Sequence, residues 1–172
     1  MMPISREHAE LEADARQFLN QEALLLDSGD LEGWLAILAP DISYLVPVRT
    51  TRYGRTDEEF SAVSAHFDED MFTLTMRVKR LATRYAWAED PPSRSRHLVS
   101  NIIVTSVPDG PEFEVTSSLL LLRTRFDDGR TESLSGSRSD TLRRVDGGLE
   151  LARRVVYLDQ TTLPVGSITT FL

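Results

Sequence analysis

Between Ile4 and Asp27 the apolar positions return every three or four residues. Leu11, Ala15, Phe18, Leu19 and the run from Glu22 to Leu26 share one stripe, which predicts a helix with Ser5 as its N-cap. The "SGD" at Ser28 to Asp30 ends it, and Asp30 is placed to cap a second short helix through Trp34, Leu35 and Leu38. "PDISYLVPVR" changes the period to two, with Ile42, Tyr44 and Val46 on one face and prolines near both ends, and reads as a strand. Arg49 to Gly54 is polar and reads as a loop. "FDEDMFTLTMRVKRLAT" returns to helical spacing at Met71, Leu74, Thr75, Val78 and Leu81. The acids Asp68 to Asp70 fall at its start and Arg77 to Arg80 at its end, as the helix dipole favours.

Beyond Ser95 the pattern predicts strands only: "RHLVSNIIVTSV", "FEVTSSLLLLRTRF", "TESLSGSRSDTLRRV" and "LELARRVVYLDQ". Asp128-Gly129 and Asp146-Gly147 are tight-hairpin dipeptides. A two-residue turn at the first sets Arg125 opposite Glu132. A two-residue turn at the second sets Leu142 opposite Leu151, Arg143 opposite Glu150 and Asp140 opposite Arg153. Such cross-strand pairs contribute about 0.2–1 kcal/mol each, which favours a register without fixing it. Helices first and a long antiparallel meander afterwards predict an α+β fold, helices packed on a long curved sheet. With no repeat and no linker, residues 1–172 read as one domain.

Composition narrows the function. The formal net charge is −8, from 19 Lys plus Arg against 27 Asp plus Glu, and an acidic chain disfavours general nucleic-acid binding. Cysteine is absent, which excludes disulfides, thiolate catalysis and cysteine-held zinc or iron–sulfur centres in this chain. No apolar stretch reaches the length of a membrane span, and "MMPISREHAELEADARQF" has no secretory core. A cytoplasmic protein is expected. Lys79 is the one lysine, so the positive charge is nearly all arginine, the side chain suited to fixed carboxylate pairing.

Chemistry has few candidates. His8, His66 and His97 form no closely spaced pair, and HExxH, GxSxG, GxGxxG and P-loop patterns are absent. No metal ligand, cofactor-binding or catalytic residue is assigned. The densest segment is "RYAWAEDPPSRSRHLVSN", Arg84 to Asn101. His97 with a nearby carboxylate, Glu89 or Asp90, is an acid–base candidate of the kind a stand-alone isomerase or dehydratase uses. The competing reading is a docking segment. Pro91-Pro92 stiffens it, Trp87 offers buried area, and Arg94 and Arg96 project from one strand face. Intrachain pairing of those arginines with Glu89 and Asp90 accounts for the same composition. Asn101 falls on the strand face of His97 by parity and could satisfy backbone groups there.

These residues also carry a resemblance. "AWAEDPPSRSRHLVSNIIV" resembles the signature of the small (beta) subunit of Rieske-type aromatic-ring-hydroxylating dioxygenases. "FLNQEALLLDSGDLEGWLAILAPDISYLVPVR" resembles that family's opening helices and first strand, and "GSRSDTLRRVDGGLELARRVVYLDQTTL" its closing hairpin. The resemblance implies a cone-shaped nuclear-transport-factor or cystatin-like fold and a beta subunit without a cofactor of its own. It further implies a large alpha subunit that carries a Rieske iron–sulfur cluster and a mononuclear iron, and a hexamer of three alpha and three beta chains built on a beta trimer. Ferredoxin and reductase belong to the wider system. On this reading Trp87, Glu89, Arg94, Arg96, His97 and Asn101 are subunit-interface candidates, and the role is structural support of the alpha subunit in breakdown of aromatic compounds.

Overall fold

The structure is a computed structural model, described here for residues 6–50, 59–82, 93–106, 110–124, 129, 131–163 and 170–172. Three helices, α1 (Arg6–Ser28), α2 (Leu31–Leu35) and α3 (Met71–Leu81), accompany six strands: β1 (Leu38–Arg49), β2 (Phe60–Asp70), β3 (Arg94–Ser106), β4 (Glu112–Thr124), β5 (Thr131–Val145) and β6 (Gly148–Leu158). The strands form one sheet in the order β2-β1-β6-β5-β4-β3. Every pairing is antiparallel except β1 with β6. The helix-then-meander pattern is therefore realised, with β1 inserted beside the last strand.

The stripe of α1 buries Leu11, Ala15, Phe18, Leu19 and Leu26, and one acid, Glu22, sits among them. Asp30 caps α2 as its spacing predicts, accepting from the Gly33 N–H at 2.9 Å, but α2 ends at Leu35 and Leu38, expected within it, opens β1. Trp34 of α2 is fully buried, as are Tyr44 and Val46 of β1, Leu74 of α3 and Leu142, Leu151 and Val156 of the closing hairpin. These residues join helices and sheet in one core.

Three further expectations are corrected. First, Phe67 to Asp70 end β2, a strand the sequence pattern did not show. Its exposed positions outnumber its covered ones, so alternation is weak. Asp70 instead caps α3 in a box with Thr73: the Thr73 N–H donates to Asp70 Oδ1 at 2.8 Å, and the Asp70 N–H donates to Thr73 Oγ1 at 2.9 Å. The bond from the Thr73 N–H holds the Asp70 carboxyl below its ordinary 3.8.

Second, Thr124 faces Thr131 and Arg123 faces Glu132, a two-residue shift from the register in which Arg125 meets Glu132. An even slip keeps each residue on its own face, so the hydrophobic pattern does not discriminate between the two. Asp128 and Arg125 lie outside the described residues.

Third, the turn at Asp146-Gly147 holds, with Val145 opposite Gly148, Arg143 opposite Glu150 and Leu142 opposite Leu151, but the register then shifts between Thr141 and Leu142. Ala152 is the extra residue of this bulge, and Asp140 meets Arg154 rather than Arg153. Although Arg143 faces Glu150 in register, its guanidinium bonds Asp41 at 2.7 and 2.9 Å and Glu112 at 2.8 Å, clamping β5 to β1 and β4.

At Gly136 the β6 backbone lies close over β5. A Cβ there would lie 2.4 Å from the Tyr157 carbonyl oxygen, so any side chain must push two strand backbones apart. Gly136→Ala is expected to cost on the order of 1–3 kcal/mol, read as a lowered urea midpoint. An unchanged midpoint would show that the strands part freely.

Candidate functional site: a buried ion cluster and a sealed histidine

The bulge at Ala152 turns Arg154 into the core, where it is 0% exposed. Its guanidinium bonds both oxygens of Asp140, through Nε at 2.8 Å and Nη2 at 2.9 Å. It also bonds both oxygens of Glu22, through Nη1 at 2.6 Å and Nη2 at 2.8 Å. Nη1 further donates to the main-chain oxygen of Leu172 at 3.1 Å. The Trp34 indole N–H donates to Glu22 Oε1 at 3.1 Å, and the Tyr44 hydroxyl bonds the Leu172 oxygen at 2.8 Å. Arg138 lies 3.5 Å from Glu22 Oε2 and donates through Nε to Ser117 Oγ at 3.2 Å. Its Nη2 finds no acceptor among the described residues.

Electrostatics follow from that geometry. Burial works to raise the Glu22 carboxyl, but the charges of Arg154 and Arg138, with hydrogen bonds from Arg154 and Trp34, outweigh it and hold it below its ordinary 4.5. Burial opposes the Arg154 charge, and Asp140 and Glu22 overcome it, keeping the guanidinium well above the ordinary arginine range. Arg138 is lowered by burial and by repulsion from Arg154. Burial pushes the Tyr44 hydroxyl up to about 12.

His97 sits apart from this cluster at the start of β3. Its side chain is 1% exposed, with Nδ1 2.6 Å from Asp27 Oδ1 and Nε2 3.0 Å from the Phe171 carbonyl oxygen. Asp27, near the end of α1, also accepts the His97 backbone N–H at 3.0 and 3.3 Å, so an acid ties an edge strand to the helix that covers it. A histidine and a carboxylate do come together, but both ring nitrogens are engaged inside the chain. A general base must reach the proton that it moves, and here that approach is closed. The shallow depressions described on the surface, on the outer face of α1 and between β1 and α3, are not lined by His97. The stand-alone isomerase or dehydratase reading is not favoured.

The remaining sequence candidates separate. Arg94 and Arg96 are both exposed and share the outer face, as parity predicts. Arg96 reaches Asp27 at 3.5 Å. Asn101 does not share the face of His97. It is exposed, with φ at 52°, inside a register shift between Ser100 and Ile103, and asparagine tolerates that left-handed conformation. Its side-chain amide donates to Ser118 Oγ at 3.2 Å. Trp87, Glu89, Asp90 and Pro91-Pro92 lie outside the described residues. His8 is half-buried and 3.9 Å from Glu12, and His66 is half-buried in β2. Among the described residues no three His, Asp or Glu gather to hold a metal ion, and no helix is long and apolar enough to cross a membrane.

Sequence reasoning did not single out Glu22, Asp27, Asp140, Arg138 or Arg154. A signal existed for some of them. Glu22 falls in the apolar stripe of α1, and Arg138 and Asp140 alternate in phase with Leu134 and Leu142. A charge at a core position with an opposite charge at another is the mark of a buried pair.

Helices packed against a curved, mixed six-stranded sheet define a cone of the nuclear-transport-factor or cystatin-like kind. The chain superimposes on naphthalene 1,2-dioxygenase with indole bound in the active site, at a TM-score of 0.84 and 23% identity, over 95% of this chain and 86% of that one. A family model described as ring hydroxylating beta subunit matches residues 21–165, and the chain belongs to that family. It is 36% identical over 167 residues to the beta subunit of chlorobenzene dioxygenase from Cupriavidus sp. (strain PS12), covering 94% of this chain and 89% of the relative. It is 34% identical over 166 residues to the biphenyl 2,3-dioxygenase beta subunit of Rhodococcus jostii (strain RHA1), covering 94% and 88%.

Removing one partner of a fully desolvated ion cluster strands the others. Arg154→Leu is expected to cost about 3–5 kcal/mol, against about 0.5 kcal/mol or less for Arg153→Leu at the exposed neighbour, both read by urea unfolding. Comparable losses would mean that the bulge does not select the buried arginine. Because the Glu22 carboxyl is depressed, its contribution is present above about pH 4.5 and is lost as the pH falls through the lower folded value. Glu22→Gln is expected to flatten the stability profile below pH 4.5, and an unchanged acid limb would refute the assignment.

Proposed function

We propose that this chain is the structural beta subunit of a terminal oxygenase that dihydroxylates an aromatic ring, working in the cytoplasm and holding a catalytic alpha subunit in its working assembly. The observation that carries the reading is the family match across residues 21–165 together with the sealing of its one acid–base candidate, His97. The chain is a single domain with no catalytic residue. The alpha partner carries a Rieske cluster and a mononuclear iron, three copies of each subunit assemble around a beta trimer, and ferredoxin and reductase supply electrons. The substrate is an aromatic compound, by kinship with subunits of enzymes named for chlorobenzene and biphenyl.

The outer face of β3 and β4 is the docking surface for the alpha subunit. Leu98 and Leu120 face each other across that pair and are 45% and 40% exposed, with Ile103, 50% exposed, further along β3 opposite Thr116. Arg94 and Arg96 border them, giving apolar area ringed by directional charge. Asn101 is a further candidate for this surface, as are Trp87 and Glu89, which lie outside the described residues. His97 contributes indirectly, by fixing the start of β3 to α1.

The test is co-expression with the large subunit encoded beside it, followed by size-exclusion chromatography with light scattering and iron analysis. A complex of equal stoichiometry, with iron following the large subunit, is expected. A chain that stays alone would overturn the reading. Within the complex, Arg96→Glu and Leu120→Glu are each expected to weaken association by on the order of tenfold or more. Unaltered association of both would remove this face from the interface.

A further inference from the structure

The hydrogen-bond inventory of His97 does not close with a neutral imidazole beside an ionised Asp27. Nε2 lies 3.0 Å from the Phe171 carbonyl oxygen, which can only accept, so Nε2 carries a hydrogen. Nδ1 lies 2.6 Å from Asp27 Oδ1, and a contact that short between two potential acceptors also requires a hydrogen between them. A neutral ring has one N–H, so ring and carboxyl together hold two protons. Asp27 further accepts the His97 backbone N–H at 3.0 Å and lies 3.5 Å from the Arg96 guanidinium. Those donors favour its ionised form and leave both protons on the ring.

We infer that His97 is an imidazolium in the folded chain at neutral pH, paired with Asp27, and that its Nε2–H is a latch that holds residues 171–172 in the core. Among the described residues, few groups face the ring. From α1 comes Asp27. On β3 itself Arg96 points outward at 69% side-chain exposure. From β4 the facing residue is Leu121, which is apolar. From the 171–172 segment comes the carbonyl alone, and from α3 Arg77 lies 4.7 Å over the Phe171 ring.

What the latch seats is central. The Phe171 ring stacks on Trp34 at 4.2 Å. The Leu172 N–H donates to the Tyr44 hydroxyl at 2.7 Å, and the Leu172 oxygen accepts from Tyr44 and Arg154. Loss of the Nε2 hydrogen would set a nitrogen lone pair against a carbonyl lone pair 3.0 Å away, and the segment that completes the Arg154 cluster would be driven outward. Loss of the other ring hydrogen would instead break the tie between β3 and α1. Proton number at one histidine is thereby coupled to the seating of Phe171 and Leu172.

The test uses the full chain labelled with nitrogen-15, with ring signals assigned by His8→Gln and His66→Gln. At neutral pH His97 is expected to show two protonated ring nitrogens. As rising pH removes one, the Trp34 indole and Leu172 amide signals are expected to shift in step. Asp27→Asn, which removes the counter-charge, is expected to show one bare nitrogen at neutral pH and at least tenfold faster hydrogen exchange at the Leu172 amide. One bare nitrogen in the unaltered chain at neutral pH overturns the inference. So does loss of the second proton with no movement at Trp34 and Leu172. If Asp27→Asn does not fold, the titration of the unaltered chain decides by itself.

Discussion

Arg154 lies in the core between two carboxylates, and the rest of the fold is arranged around keeping it satisfied. Glu22 comes from α1, Asp140 from β5 and the arginine from β6, while Trp34 of α2 and Tyr44 of β1 close the remaining positions directly or through Leu172. An isolated charge in such a place is prohibitive, and even a paired one gains little net stability over apolar residues of the same shape. What the cluster provides is a penalty for misassembly. A one-residue slip of β6 that set Val155 opposite Asp140 would turn Arg154 outward and leave Glu22 and Asp140 buried without it. The bulge at Ala152 and the close approach at Gly136 are the backbone counterparts of the same constraint: both set where β6 lies relative to β5.

That cluster also marks the limit of what a pattern reading reaches. The stripe of α1, the Asp30 cap, the alternation of β1 and the turn at Asp146-Gly147 were all legible, because each depends on residues near one another in the chain. The family was legible too, from segments spread over most of the length. The β4–β5 register was not, because an even slip preserves every face and the turn dipeptide pointed to the wrong one. The bulge that brings Arg154 to Asp140 was not, because the second carboxylate that Arg154 meets there, Glu22, lies over a hundred positions away. β2 escaped because its side chains are exposed on both faces for much of its length. The interface candidates were chosen from composition, and composition does not distinguish an outward arginine from a ring sealed behind it. Arg96 and His97 are neighbours with opposite fates.

A cone of helices on a curved sheet can enclose a reactive cavity or a packed interior, so the fold alone does not settle the role. Here the interior groups that could perform chemistry have been drawn into structure. Glu22, Asp140 and the two arginines neutralise one another, and His97 and Asp27 bond each other, the β3 backbone and the Phe171 carbonyl. Each of these bonds links elements distant in sequence. A catalytic acid or base needs an unengaged atom facing substrate, and His97 and Asp27 are fully occupied with partners from their own chain.

With the inner face committed to the core, the outer face of the sheet is where a partner can be met. Along β5 that face is Ser133, Ser135, Ser137 and Ser139, small side chains alternating with buried Leu134, Gly136, Arg138 and Asp140. Along β3 and β4 it becomes apolar at Leu98, Ile103 and Leu120. Uncovered leucines facing each other across β3 and β4, with an uncovered isoleucine further along β3, are a liability for a sheet edge left in water. The two faces are linked through Asp27, which accepts from the His97 backbone while also meeting Arg96 on the outside. The same carboxylate that anchors the edge strand to α1 thus also meets an arginine on the outer face, so the rigidity of the core is transmitted to the surface at that point.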